Sequence, residues 1–84
     1  MQTGATPRVA DRFLASVYET VAMLAEHPQA GTLCSLPIAR LAHLRRFPIT
    51  LPFGRWLIFY LDRPEGILVL RIVHGSQDWE RLFH

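Results

Sequence analysis

Hydrophobic residues recur along this chain in two rhythms, each predicting a different element. From Val9 to Leu24 the spacing is helical: Val9, Phe13, Val17, Val21 and Leu24 form one stripe, which Ala10, Leu14 and Tyr18 widen. Asp11, Glu19 and Glu26 fall mostly off that stripe. Thr6 and Pro7 give a start signal, a capping hydroxyl followed by proline at the first helical position. Pro28 cannot continue a helix and Gly31 follows it, so the helix is predicted to stop near His27. Residues 1–6 are small and polar and are expected to fray.

The second rhythm is that of strands. Residues 55–61 and 67–73 are rich in aromatic and β-branched types, which suit a pleated surface. Asp62-Arg-Pro-Glu-Gly66 between them reads as a tight turn, because proline presets φ and glycine tolerates the left-handed closing position. Residues 28–40 read as a loop punctuated by Pro28, Gly31 and Pro37. Leu41 to Phe47 reads as a further strand anchored by Leu44 and Phe47, and its flanking prolines suit a sheet edge. Asp78 to Phe83 reads as a short terminal turn or helix capped by Asp78. The predicted fold is α+β: one long N-terminal helix packed on a three-stranded antiparallel sheet, in a single domain spanning 1–84.

Alternation assigns faces. Trp56, Ile58 and Tyr60 share one side of the first hairpin strand, and Leu57, Phe59 and Leu61 the other. On the second, Leu68, Leu70, Ile72 and His74 are set against Ile67, Val69, Arg71 and Val73. Both faces are apolar, so both need cover. The helix supplies one cover, and little of the chain is left to supply the other.

Composition sharpens this picture. A chain of 84 residues makes one small domain, which buries only roughly 60–65% of its unfolded surface. Half of it is hydrophobic and 19% is charged, which argues against disorder and for apolar surface that meets a partner. The formal charge is +2, and all nine basic residues are arginine. Codon usage in a GC-rich genome would explain that without function, but arginine also pairs bidentately with carboxylate and phosphate. The one cysteine, Cys34, has no disulfide mate, which favours a reducing, cytoplasmic setting and a structural thiol. The first eight residues lack the apolar core of a signal peptide, and no apolar run reaches the ~18–20 residues of a membrane span. His27, His43, His74 and His84 lack zinc spacing, and no glycine-rich phosphate loop or Ser–His–Asp set is arguable, so no metal or cofactor is expected.

Candidate functional residues gather near the sheet. Arg71 sits mid-strand among apolar neighbours, so it is read as either a partner contact or one half of a pair with Asp78 or a terminal carboxylate. His74 is a possible acid or base, with packing beside Gly75 as the plainer reading. Trp79 is read as a core cover, or as a contact residue if exposed. Arg45 and Arg46 are adjacent, so on a strand they point to opposite faces. With Arg55 and Arg63 they are candidates for a basic rim, against ordinary solvation. Tyr60 is read as a core aromatic with a hydrogen-bonded hydroxyl.

Four segments in order carry a family resemblance. They are Ala10 to Gly31, with its closing His27-Pro-Gln-Ala-Gly31; Leu44-Arg-Arg-Phe-Pro48; Trp56 to Leu61; and Arg71-Ile-Val-His-Gly-Ser-Gln-Asp-Trp79. Together they resemble the ParE/RelE superfamily of toxins from bacterial type II toxin–antitoxin modules, the ParE branch more than the RelE branch. The chain begins where that family's second helix begins, without its usual first strand and first helix. An unpaired sheet edge and bare apolar surface are expected to follow. Gln77 stands where the family motif has arginine before Asp78, which weakens the expectation of full toxicity.

The resemblance implies a plasmid-stabilisation-type toxin that binds DNA gyrase and is not an enzyme. A cognate ParD-like antitoxin would lay an amphipathic helix or strand over the sheet face and edge, and a homo-oligomer could form through the open edge. Target or partner contacts would come from Arg45, Arg46, Arg55, Tyr60, Arg71, Asp78 and Trp79. The alternative is a RelE-like ribosome-dependent mRNA endonuclease using Arg71, His74 and His84. A third reading is an inert relic that only binds antitoxin.

Overall fold

A computed structural model describes residues 8–34 and 36–83. The expected frayed start, the Thr6–Pro7 cap and His84 lie outside the described residues. Helix α1 runs Arg8–Glu26, followed by strands β1 (Thr32–Leu33), β2 (Arg45–Pro48), β3 (Trp56–Arg63) and β4 (Gly66–His74). Short 3-10 helices stand at Ala39–Leu41 and Trp79–Phe83. The sheet is an antiparallel meander in the order β1-β2-β3-β4. The α+β architecture is as predicted, with one strand more.

That extra strand, β1, falls in the predicted loop. Its two residues pair with Arg45 and Arg46 of β2, a contact too short to show any period. The strand predicted from Leu41 begins only at Arg45, because Ala39–Leu41 turns as a 3-10 helix and delivers Leu44 into the core. The hairpin is tighter than predicted. Asp62 and Arg63 extend β3, Arg63 pairs with Gly66, and only Pro64 and Glu65 form the tip. Gly66 has φ +135°, the left-handed region that glycine occupies without strain.

The buried line of α1 is rotated from the predicted stripe. Ser16, Thr20 and Leu24 are buried, whereas Val9, Leu14 and Tyr18 are exposed. A polar clip explains the rotation. Thr20 Oγ1 donates to the Ser16 carbonyl at 2.7 Å and accepts from the Thr50 backbone N–H at 3.1 Å. One hydroxyl thus ties the helix to the turn after β2, and among the described residues no buried side-chain nitrogen or oxygen is left unpaired.

Two cores lie on opposite sides of the sheet. Under α1, Leu24, Ile49, Ile58 and Tyr60 pack together with Val17, Val21, Phe47 and Ile72 around them. The far face, predicted to lack cover, is closed by the chain itself: Cys34, Leu36, Leu41 and Leu44 from one segment and Phe83 from the C-terminal turn pack on Phe59, Leu61 and Val73. The predicted faces of β4 hold only in part. Phe59 pairs with Arg71 but Tyr60 with Val69, so Leu70 is an extra, bulged residue. The register therefore places Ile67, Val69, Ile72 and His74 with the helix side and Leu68, Arg71 and Val73 on the other.

Candidate interaction surfaces

The first surface lies where the start of α1 crosses the entry to β3. Val9, Ala10 and Phe13 of the helix meet Phe53 and Trp56 around an apolar cleft of about 420 Å³. Phe13 stands edge-on to Phe53 at 5.1 Å and to Trp56 at 5.3 Å between ring centroids, geometry that aromatic quadrupoles favour. Trp56 continues the stack to His74 at 5.2 Å. The cleft opens beside exposed Val9, and exposed Leu14 and Tyr18 extend apolar surface along α1. Such a groove takes an apolar side chain and offers no polar group for chemistry.

His74 closes β4, half-buried. The Ser76 backbone N–H donates to its Nδ1 at 3.1 Å, and the Ser76 hydroxyl lies 2.8 Å from the same nitrogen. Nδ1 is thereby an acceptor and Nε2 carries the proton in the neutral ring. Arg71, three residues earlier, points to the opposite face of the sheet. Arginine and histidine therefore do not converge on one reaction centre.

The adjacent arginines do point to opposite faces, and both are engaged. Arg45 pairs with Tyr60 across the strands and donates to the carbonyls of Gln29 at 3.2 Å and Gly31 at 2.7 Å. Tyr60 is fully buried, its hydroxyl donating to the Pro28 carbonyl at 2.7 Å and accepting from the Gly31 N–H at 2.9 Å. A Cβ on Gly31 would lie 2.5 Å from that hydroxyl, so no larger residue fits. Arg46 donates to Cys34 Sγ at 3.7 Å and lies 5.4 Å from the centroid of the Trp79 ring. Half-buried Trp79 in turn packs on Phe59. Arg55 precedes β3 at one end of the sheet and Arg63 ends it at the other, so the four arginines do not form one rim.

Burial pushes the Cys34 thiol up from its ordinary 9.0, with the Arg46 hydrogen bond and charge opposing. The thiol stays protonated at neutral pH, as suits a structural residue. Burial likewise raises the Tyr60 phenol above its ordinary 10.0, opposed by the Gly31 hydrogen bond and by Arg45.

A second surface lies along β4. Leu68, Val69 and Leu70 are 45%, 36% and 36% exposed. Arg71 is exposed although its neighbours in sequence are apolar, and it makes no ion pair among the described residues. Asp78 lies 3.7 Å from Arg81 instead. Arg71 and Arg40 flank an open cleft of about 270 Å³ beside Leu70 and Phe83. The aromatic groove and Arg40 were missed in the sequence because both depend on contacts between distant segments. Among the described residues no three His, Cys, Asp or Glu side chains gather as a metal site. No helix among them is long and apolar enough to cross a membrane.

No curated protein and no solved structure matches the chain. A family model described as ParE toxin of type II toxin-antitoxin system, parDE, matches residues 2–79. That span takes in α1, the whole sheet, the aromatic groove and the exit Arg71–Trp79. With nearly the full length matched, the chain belongs to the family of ParE toxins of type II toxin–antitoxin systems.

Proposed function

We propose that the chain acts by binding DNA gyrase, without catalysis of its own, and that a cognate ParD-like antitoxin neutralises it in the cytoplasm. The observation that carries this reading is the uncovered apolar surface of α1, where Val9, Leu14 and Tyr18 are exposed beside the Phe13–Phe53–Trp56 groove. An amphipathic antitoxin helix would lay its apolar side chains along that stripe, with the aromatic groove taking an anchor. The endonuclease reading draws no support from the geometry, since Arg71 and His74 point to opposite faces.

A supercoiling assay with purified gyrase tests the proposal. The chain is expected to inhibit supercoiling, and antitoxin to relieve the inhibition. Tyr18→Arg with Leu14→Arg is expected to weaken antitoxin capture at least about ten-fold through loss of the apolar contact. Gyrase activity unchanged at saturating chain, alongside cleavage of ribosome-bound message, would replace this reading with the endonuclease.

A further inference from the structure

The bulge at Leu70 decides where the charge of Arg71 goes. An unbroken ladder running from the hairpin tip through Tyr60–Val69 would set Arg71 opposite Ile58, on the face that α1 covers. The extra residue sets it opposite Phe59 instead, on the far face. Bulges re-aim side chains in this way. On the far face the guanidinium borders the same cleft as Arg40, which comes from the 3-10 helix Ala39–Leu41.

Two distant segments thus bring two arginines to one cleft. Both are exposed, and neither makes an ion pair among the described residues. Like charges on either side of one cleft are unfavourable, and an anion between them removes that cost. The rest of the lining is apolar: Leu41, Leu70, Leu82 and Phe83. We propose that the cleft between Arg40 and Arg71 binds a carboxylate side chain, flanked by apolar residues, on an extended segment of a partner protein.

The chemistry of the lining selects that ligand. Two guanidinium forks supply donors only, which matches a group that accepts through two oxygens. The leucines and Phe83 suit the apolar neighbours of such a residue. A nucleic-acid backbone needs a basic track that continues past one contact, and none leads from here. Arg45 and Arg46 are engaged inside the chain, Arg55 and Arg63 stand at opposite ends of β3, and exposed Glu80 lies on the same turn as Leu82 and Phe83.

The cleft lies on the sheet face opposite α1, so this inference does not rest on the gyrase or antitoxin reading. Titration of the full chain with a blocked peptide of alternating leucine and glutamate tests it, followed by NMR of the arginine Nε–H groups. The Arg40 and Arg71 signals should move together while those of Arg55 and Arg63 stay. A peptide with glutamine in place of glutamate should move none. Arg40→Gln and Arg71→Gln should each weaken binding about five-fold, with far-UV circular dichroism unchanged. Signals that ignore the glutamate peptide, equal movement of all four arginines, equal response to the glutamine peptide, or tighter binding of a short single-stranded RNA would overturn the proposal.

Discussion

The two strands of the hairpin lie side by side and are built of similar residues, yet one is buried and the other is not. On β3 the run Ile58-Phe-Tyr-Leu61 is buried throughout, sandwiched between α1 and the segment 34–44. On β4 the facing run Leu68-Val-Leu70 is exposed. Polar groups follow the same division. Next to β3, Tyr60, Arg45 and Arg46 are engaged by carbonyls, an N–H, a thiol and a ring. Along β4, Arg71 makes no ion pair among the described residues. Hydrophobicity alone therefore does not distinguish a core strand from an exposed one. Whether its flanking polar groups are satisfied inside the chain does.

Substitutions can break this contrast, beginning where the loss should be greatest. Phe59→Ala removes a fully buried ring packed on Trp79 and Phe83 and should cost about 3–5 kcal/mol, read by urea denaturation. Tyr60→Phe keeps the ring but leaves the Gly31 N–H and Pro28 carbonyl without their partner. A loss of about 2 kcal/mol is expected in the same assay. A near-neutral result would mean that the Tyr60 clip is ornamental.

Alkaline pH should give a smaller effect with a definite sign. The folded state holds the Cys34 thiol and the Tyr60 phenol above their ordinary 9.0 and 10.0. It therefore binds more protons than the unfolded chain in this range. Their contribution to stability is fully present below about pH 9 and is lost as pH rises through the raised values. Tyr60→Phe and Cys34→Ala should each flatten that decline. The smallest effect on folding belongs to β4. Leu68→Lys should change the unfolding free energy by less than about 0.5 kcal/mol, read by urea denaturation.

Much of the buried half was legible in the sequence. The helical spacing from Val9, the aromatic and β-branched run 56–61 and the Pro-Glu-Gly turn each carry their own local signal. So does the adjacency of Arg45 and Arg46, which fixes opposite faces on any strand. What escaped depends on distant partners. Cys34, Leu36, Leu41 and Leu44 cover the far face at irregular spacing that fits neither period. Ser16 and Thr20 are polar, so their burial shows only once Thr50 is seen beside them. The bulge at Leu70 has no glycine to mark it, and it reversed the predicted faces of Leu68 and Val69. At the site, Arg71 was read as either a partner contact or half of an ion pair, and sequence could not choose between them because its neighbours in sequence are apolar while its neighbour in space is solvent.

Pulse-labelling of DNA and protein synthesis after induction of this chain in a bacterial host tests the central claim most directly. A toxin that acts by binding gyrase should lower DNA synthesis first, with protein synthesis falling later. Protein synthesis falling first, or neither falling while the chain is soluble, would contradict the account.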